Sequence, residues 1–279
     1  MMRTLAILGR VSNLPTVWSN CLAAWLLAGG SSWPRLALVS AGATFLYTGG
    51  MFLNDAFDVE FDRRYRPERP IPSGAASLAL VWTVALACLL TGWLFCLALG
   101  KTPCLWSSAL VAAIVVYDYI HKRTPLAPLL MSACRWLLYL AAGSAAEGGV
   151  NRAVVLWAGL LAAYVTGLSY FARRESRGGV LSYWPALLLF APAVAGLSCN
   201  SSRLAVLVIG LGQAAWVAGC VRGKTGADKP AAGPNVAGLL AGIVLLDWLA
   251  AGGGSLPLAA TFCGLFLLAL FLQRNVPAT

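Results

Sequence analysis

Between residues 54 and 64 the chain reads Asn54-Asp55-Ala56-Phe57-Asp58-Val59-Glu60-Phe61-Asp62-Arg63-Arg64. Residues three and four apart share one face of a helix. On that spacing Asp55, Asp58 and Asp62 line up with the amide of Asn54, while Ala56, Phe57, Val59 and Phe61 point elsewhere and Glu60 lies off the face. Carboxylates crowded together raise one another's pKa, and a divalent cation removes that conflict. Magnesium takes one or two carboxylates, keeps waters and completes its octahedron with substrate phosphate oxygens. The pattern therefore suits Asn54, Asp55, Asp58 and Asp62 as ligands of Mg2+ on a diphosphate. The bland alternative is a solvated acidic helix end paired with the arginines that follow.

Directly after it runs Arg66-Pro67-Glu68-Arg69-Pro70-Ile71-Pro72-Ser73-Gly74. Three prolines stop helix propagation and stiffen the backbone. The segment predicts a shaped loop over the acidic face, with Arg66 and Arg69 placed to meet phosphate oxygens bidentately. A plain basic loop with a proline turn explains the same residues equally well on physical grounds.

The elements that must position these groups are membrane helices. Hydrophobic residues make up 59% of the 279 and charged residues only 11%, with a mean hydropathy of +0.77. A soluble domain carries about a quarter charged residues, so this chain cannot coat a water-exposed globule. Ten apolar windows fall near 14–30, 35–55, 78–99, 103–120, 125–146, 153–172, 181–198, 203–221, 234–251 and 256–272. Helices satisfy their own backbone within lipid, and continuous apolar runs exclude the period-two pattern of a membrane barrel. The expectation is an all-α polytopic bundle of nine to ten transmembrane helices around a central cavity, forming one domain over 1–279. Arg10 interrupts the opening apolar stretch, which does not read as a cleaved signal.

The formal net charge of +10 has a topological reading. Most of the Lys and Arg fall at one set of helix ends, and only Arg35, Lys101, Arg152 and Arg203 at the other. Basic loops stay in the cytoplasm. Both termini and the acidic segment are expected there, and no nucleic-acid partner is needed to explain the charge. The eight cysteines form no C-x-x-C pair, which argues against a zinc site or a disulfide framework. Two ionisable residues fall inside windows. Arg135 lies about ten residues into the fifth, roughly 15 Å deep at 1.5 Å per residue, where it could face a cavity and pair with an acid or a substrate. Asp247, in the ninth, reads as a helix-packing hydrogen bond.

The run from Asn54 to Gly74 resembles the first signature of the UbiA superfamily of intramembrane prenyltransferases, N-D-x-x-D-x-x-x-D followed by a basic loop ending R-P-[LI]-x-S-G. The opening 10–20 is similar to that family's first helix, and the compact 62–70 spacing looks most like its EboC-like subgroup. Tyr117-Asp118-Tyr119-Ile120-His121-Lys122-Arg123 resembles the family's Tyr-x-x-x-Lys-type segment. The resemblance implies a Mg-dependent transfer of an isoprenyl group from an allylic diphosphate to an aromatic or lipid-like acceptor. Asp55, Asp58, Asp62 and Lys122 would be catalytic, with Tyr117 and Lys122 on the diphosphate, and Phe57 or Tyr117 would shield the carbocation. The family's second acidic motif is thin here: only Glu175 is acidic in Tyr170-Phe171-Ala172-Arg173-Arg174-Glu175-Ser176-Arg177. Either Glu175 holds a second metal, or Arg173 and Arg174 supply its charge to the diphosphate. The alternative is a non-catalytic isoprenoid-diphosphate or small-molecule binding protein or transporter on the same fold.

Overall fold

Serine, asparagine and proline mark where the helices start. Pro15, Pro34, Pro128 and Pro257 each stand in the first turn of a helix, where a missing N–H costs nothing. Ser77 accepts a 3.2 Å hydrogen bond from the Leu80 amide, and Asn235 accepts one from the Gly238 amide at 2.9 Å, each capping the helix that follows. The computed structural model describes residues 2–175, 184–200, 204–222, 235–252 and 255–276. Its helices are α1 (Met2–Leu8), α2 (Leu14–Leu27), α3 (Trp33–Phe57), α4 (Val59–Tyr65), α5 (Leu78–Leu99), α6 (Lys101–Ile120), α7 (Ala127–Ser144), α8 (Arg152–Glu175), α9 (Trp184–Asn200), α10 (Leu204–Arg222), α11 (Val236–Ala250) and α12 (Leu256–Asn275). A 3-10 turn, Val11–Asn13, joins α1 to α2.

The ten expected windows coincide with α2, α3 and α5 to α12, although α2 ends at Leu27 and α7 is shorter at both ends than its window. Six of the described helices are long and apolar enough to cross a membrane: α3, α5, α6, residues 152–172 of α8, α10 and α12. Their outer faces fit a lipid solvent. Leu86, Leu90, Leu94 and Leu97 form an exposed stripe on α5, while Val81, Ala85, Leu89 and Cys96 on its other side are buried. The chain is an integral, multi-pass helical membrane protein.

Helix α2 sits inside the bundle, packed against α3, α7, α11 and α12. Helices α3 and α5 make the most extensive pairing, through small residues. A Cβ on Gly92 would lie 2.7 Å from the Gly42 carbonyl oxygen, and one on Gly49 would lie 2.9 Å from the Leu89 backbone nitrogen. Gly50 faces Ile114 of α6 instead. Without an apolar driving force between helices in lipid, such close backbone approach supplies the dispersion contact that holds them.

Candidate active site

The acidic run does not lie on one straight helix. Helix α3 ends at Phe57, Asp58 has φ −79 and ψ −4, and α4 starts at Val59. The Asp58 and Asp62 amides still bond back to the Asn54 and Asp58 carbonyls, so the interruption is a bend. Its consequence is that the aspartates meet different partners. Asp55 Oδ1 lies 3.6 Å from Arg10 Nη2 and 3.9 Å from Arg69 Nη1. Asp58 lies 3.0 Å from Lys122 Nζ and 3.3 Å from His121 Nε2. Lys122 also sits 3.4 Å over the Phe61 ring. Asn54 accepts from Arg10 at 3.2 Å and donates to Asp118 Oδ1 at 3.0 Å. Thus the turn after α1, helices α3, α4 and α6, and the proline loop converge on one end of the bundle.

The loop is folded by its own backbone. Amides of Arg69, Ser73, Gly74 and Ala76 bond to carbonyls of Arg66, Arg69, Ile71 and Pro70. Gly74 at φ +77 supplies a left-handed turn that other residues resist. Arg66, Glu68, Arg69 and Pro70 thereby line the mouth of a cavity of about 840 Å³. Arg10, Tyr117, Asp118 and His121 share that mouth. Below it the walls are mainly apolar, including Ala43, Leu110, Ile114, Met131, Val165, Leu168, Leu240 and Ile243. Asp55, Asp58 and Asp62 stand behind the lining, Asp55 against Arg10 and Arg69, and Asp58 against His121 and Lys122.

Burial pushes the Asp62 carboxyl above its ordinary value; the Arg69 charge opposes this and neighbouring Asp58 adds to it. Burial also acts upward on Asp58, but hydrogen bonding and charge from His121 and Lys122 outweigh it and hold that carboxyl below the ordinary value.

Among the described residues, no group of three or more His, Cys, Asp or Glu side chains is gathered tightly enough to cage an ion alone. The donor set nevertheless fits magnesium. Asp55 Oδ2 and Asp62 Oδ1 are buried without a hydrogen-bond partner, and hard oxygen ligands completed by water and phosphate are what Mg2+ prefers. Glu60, as expected off the acidic face, forms an exposed pair with Arg63 at 2.7 Å.

The sequence-predicted residues thus divide. Asn54, Asp55, Asp58, Asp62, Arg69 and Lys122 are brought together, and Arg66 and Tyr117 reach the same mouth. Arg173, Arg174 and Glu175 end α8, but their side chains lie outside the described residues. Sequence reasoning gave no site role to Arg10, which stood out as a charge breaking an apolar stretch and as the first residue of the 10–20 resemblance. It also left Asp118 outside the site. Arg10 has the one positive φ, 42°, of any non-glycine residue described.

Known proteins resemble this chain in sequence and in fold. Digeranylgeranylglyceryl phosphate synthase of Methanoculleus marisnigri is 36% identical over 117 residues, 42% of each chain. The enzyme of that name from Natronomonas pharaonis is 36% identical over 142 residues, 47% of this chain and 48% of the relative. Each match spans less than half of the relative's length. A solved UbiA homologue from Aeropyrum pernix superposes with a TM-score of 0.63 at 16% identity, covering 96% of this chain and 97% of that one. One from Archaeoglobus fulgidus, with GPP and Mg2+ bound, gives 0.61 at 15%, covering 98% and 99%. These show a shared fold. The model of the UbiA prenyltransferase family matches residues 13–276, and the chain belongs to that family.

Proposed function

We propose that this protein is a magnesium-dependent membrane prenyltransferase that moves an isoprenyl group from an allylic diphosphate to a hydrophobic acceptor. The observation that carries the reading is the meeting of the acidic run and three arginines at the mouth of an apolar cavity inside a membrane bundle. A diphosphate needs the first and an isoprenoid tail needs the second. Named relatives that make digeranylgeranylglyceryl phosphate, and a similar fold that holds GPP with Mg2+, support it. The relatives named here do not bear on the EboC-like subgroup.

Asn54, Asp55, Asp58 and Asp62 would hold Mg2+, which when bound neutralises charge on the departing diphosphate. Arg10, Arg66 and Arg69 turn their guanidinium forks to phosphate oxygens. Lys122, anchored on Asp58, adds a point charge, and Tyr117, stacked on His121, lines the mouth. Arg173 and Arg174 add further positive charge at the end of α8, where Glu175 is a further candidate metal ligand. The apolar walls take the tail and exclude water, which protects an allylic cation until an electron-rich acceptor atom attacks it. The face of Tyr117, which lines the cavity, favours that cation, whereas Phe57 packs against Trp82 and Tyr119 away from the lining. The site end of the bundle and both termini face the cytoplasm, in keeping with the basic residues gathered there.

The test is magnesium-dependent diphosphate release from labelled geranyl, farnesyl and geranylgeranyl diphosphates by purified protein. Release that disappears in Asp55→Ala/Asp58→Ala is the expected result. Tight binding with no release across an acceptor panel would instead favour a non-catalytic carrier, and no binding at all would overturn the diphosphate reading.

A further inference from the structure

A second polar station lies deeper in the same cavity. Arg135 of α7 lines it and is only half-buried. Its Nη1 donates to Asn20 Oδ1 at 2.8 Å and its Nη2 to Thr16 Oγ1 at 3.0 Å, both on α2. The Asn20 amide then donates from Nδ2 to Asp247 Oδ2 of α11 at 2.7 Å, and Ser19 donates to the same oxygen. Asn20 and Asp247 are fully buried. The Tyr47 ring stands 5.6 Å from the guanidinium. Thr16 and Asn20 stand in the first and second turns of α2, beyond the turn that carries Arg10, so this station lies further into the bundle than the acidic mouth.

Three features separate it from a packing contact. An ionisable side chain at membrane depth is costly and defaults to a functional role, and here Arg135 and Asp247 are retained on different helices. They do not touch: the Asn20 amide relays between them, so the carboxyl stays behind the wall and the guanidinium stays at the cavity. Asn20 and Thr16 each engage one of the five N–H groups that a guanidinium offers, and the side chain still lines the cavity. With Asp247 as the carboxylate the pair is neutral as a unit, and it then offers donors to an oxygen without adding net positive charge.

We propose that Arg135 is a specificity-determining residue that receives a neutral oxygen of the acceptor, of the phenol, alcohol or carbonyl class, at the inner end of the cavity. Asp247, acting through Asn20, is a positioning residue that makes the station discriminate against a second anion. The inference rests on the transferase reading for the word acceptor, but its test needs no turnover.

The experiment measures binding of three matched probes to the full-length protein in detergent: heptylbenzene, 4-heptylphenol and 4-heptylbenzoate. A hydrogen bond to a charged group is worth about 1.5–3 kcal/mol, so the phenol should bind wild type on the order of ten-fold tighter than heptylbenzene. The charge-balanced Arg135→Met/Asp247→Asn variant should lose that preference while binding geranyl diphosphate with Mg2+ as before. Asp247→Asn alone, leaving Arg135 uncompensated, should shift preference toward the benzoate. A wild type that does not distinguish phenol from heptylbenzene, an unchanged ratio in the double variant, or no shift toward the anion in Asp247→Asn would each overturn the proposal. Loss of geranyl diphosphate binding in wild type would instead strike the transferase reading.

Discussion

Arg10 is where a single residue carries most of the argument at the site. Its left-handed backbone, φ 42 and ψ 49, costs about 1–2 kcal/mol in an L-residue, and such strain persists where the surroundings hold it for function. The side chain is held by Asn54 and Asp55. Arg10→Gly should therefore melt at or above the temperature of Arg10→Ala, since glycine accepts that backbone freely, while both variants lose affinity for a magnesium–diphosphate on the order of ten-fold. Thermal melting and isothermal titration with farnesyl diphosphate, run on the same preparations, check the two halves. Asp58 offers a second case. Asp58→Asn removes the negative charge that anchors His121 and Lys122. Mg2+-dependent donor binding should fall at least about ten-fold, and calorimetry with Mg2+ and diphosphate reads it directly.

Among the elements, α3 and α5 make the most extensive contact, and glycine sets their separation. Replacing Gly92 by leucine places side-chain atoms where the Gly42 carbonyl and Leu46 already stand. Overpacking of this kind costs about 1–3 kcal/mol, and because α3 carries Asn54 and Asp55 the site should loosen with it. Gly159 of α8 is the control, since a Cβ there meets nothing within 4 Å. Gly159→Ala should be neutral or stabilising by up to about 1 kcal/mol. Comparing melting temperatures of the two variants in one detergent tests this. The bend at Asp58 works at the same scale. On either side of it Asp55 meets Arg10 and Arg69 while Asp58 meets His121 and Lys122.

At the scale of the molecule, the bundle places its polar chemistry at one end and lipid-facing leucines around its girth. The charge bias along the chain predicts its orientation. Cysteines introduced at Arg64 and Asn275, in a background whose native cysteines are replaced, should react with a membrane-impermeant thiol reagent only when the cytoplasmic face is opened. Cysteines at Ser31 and Arg152 should react in intact cells. The reverse pattern would invert the orientation inferred from the basic residues.

What the sequence determined by itself is what local composition and spacing carry. Apolar windows set the helices because lipid requires every backbone group to bond within its own segment. The Asn54-to-Asp62 spacing marked the acidic site, and the prolines with Gly74 marked the loop that carries Arg66 and Arg69. Three things came only with the tertiary structure. The partners of each carboxylate depend on which helices converge, so Arg10 and Asp118, each far from residue 55 in the chain, could not be read as belonging there. The break between α3 and α4 at Asp58, whose side chain meets His121 and Lys122 from beyond α6, follows no breaker residue in the local sequence. Arg135 and Asp247 were visible as isolated charges, one open to a partner and one read as a packing bond. That Asn20 and Thr16 of α2 join them into one station was decided by packing, because α2, α7 and α11 meet only when the bundle closes around its cavity.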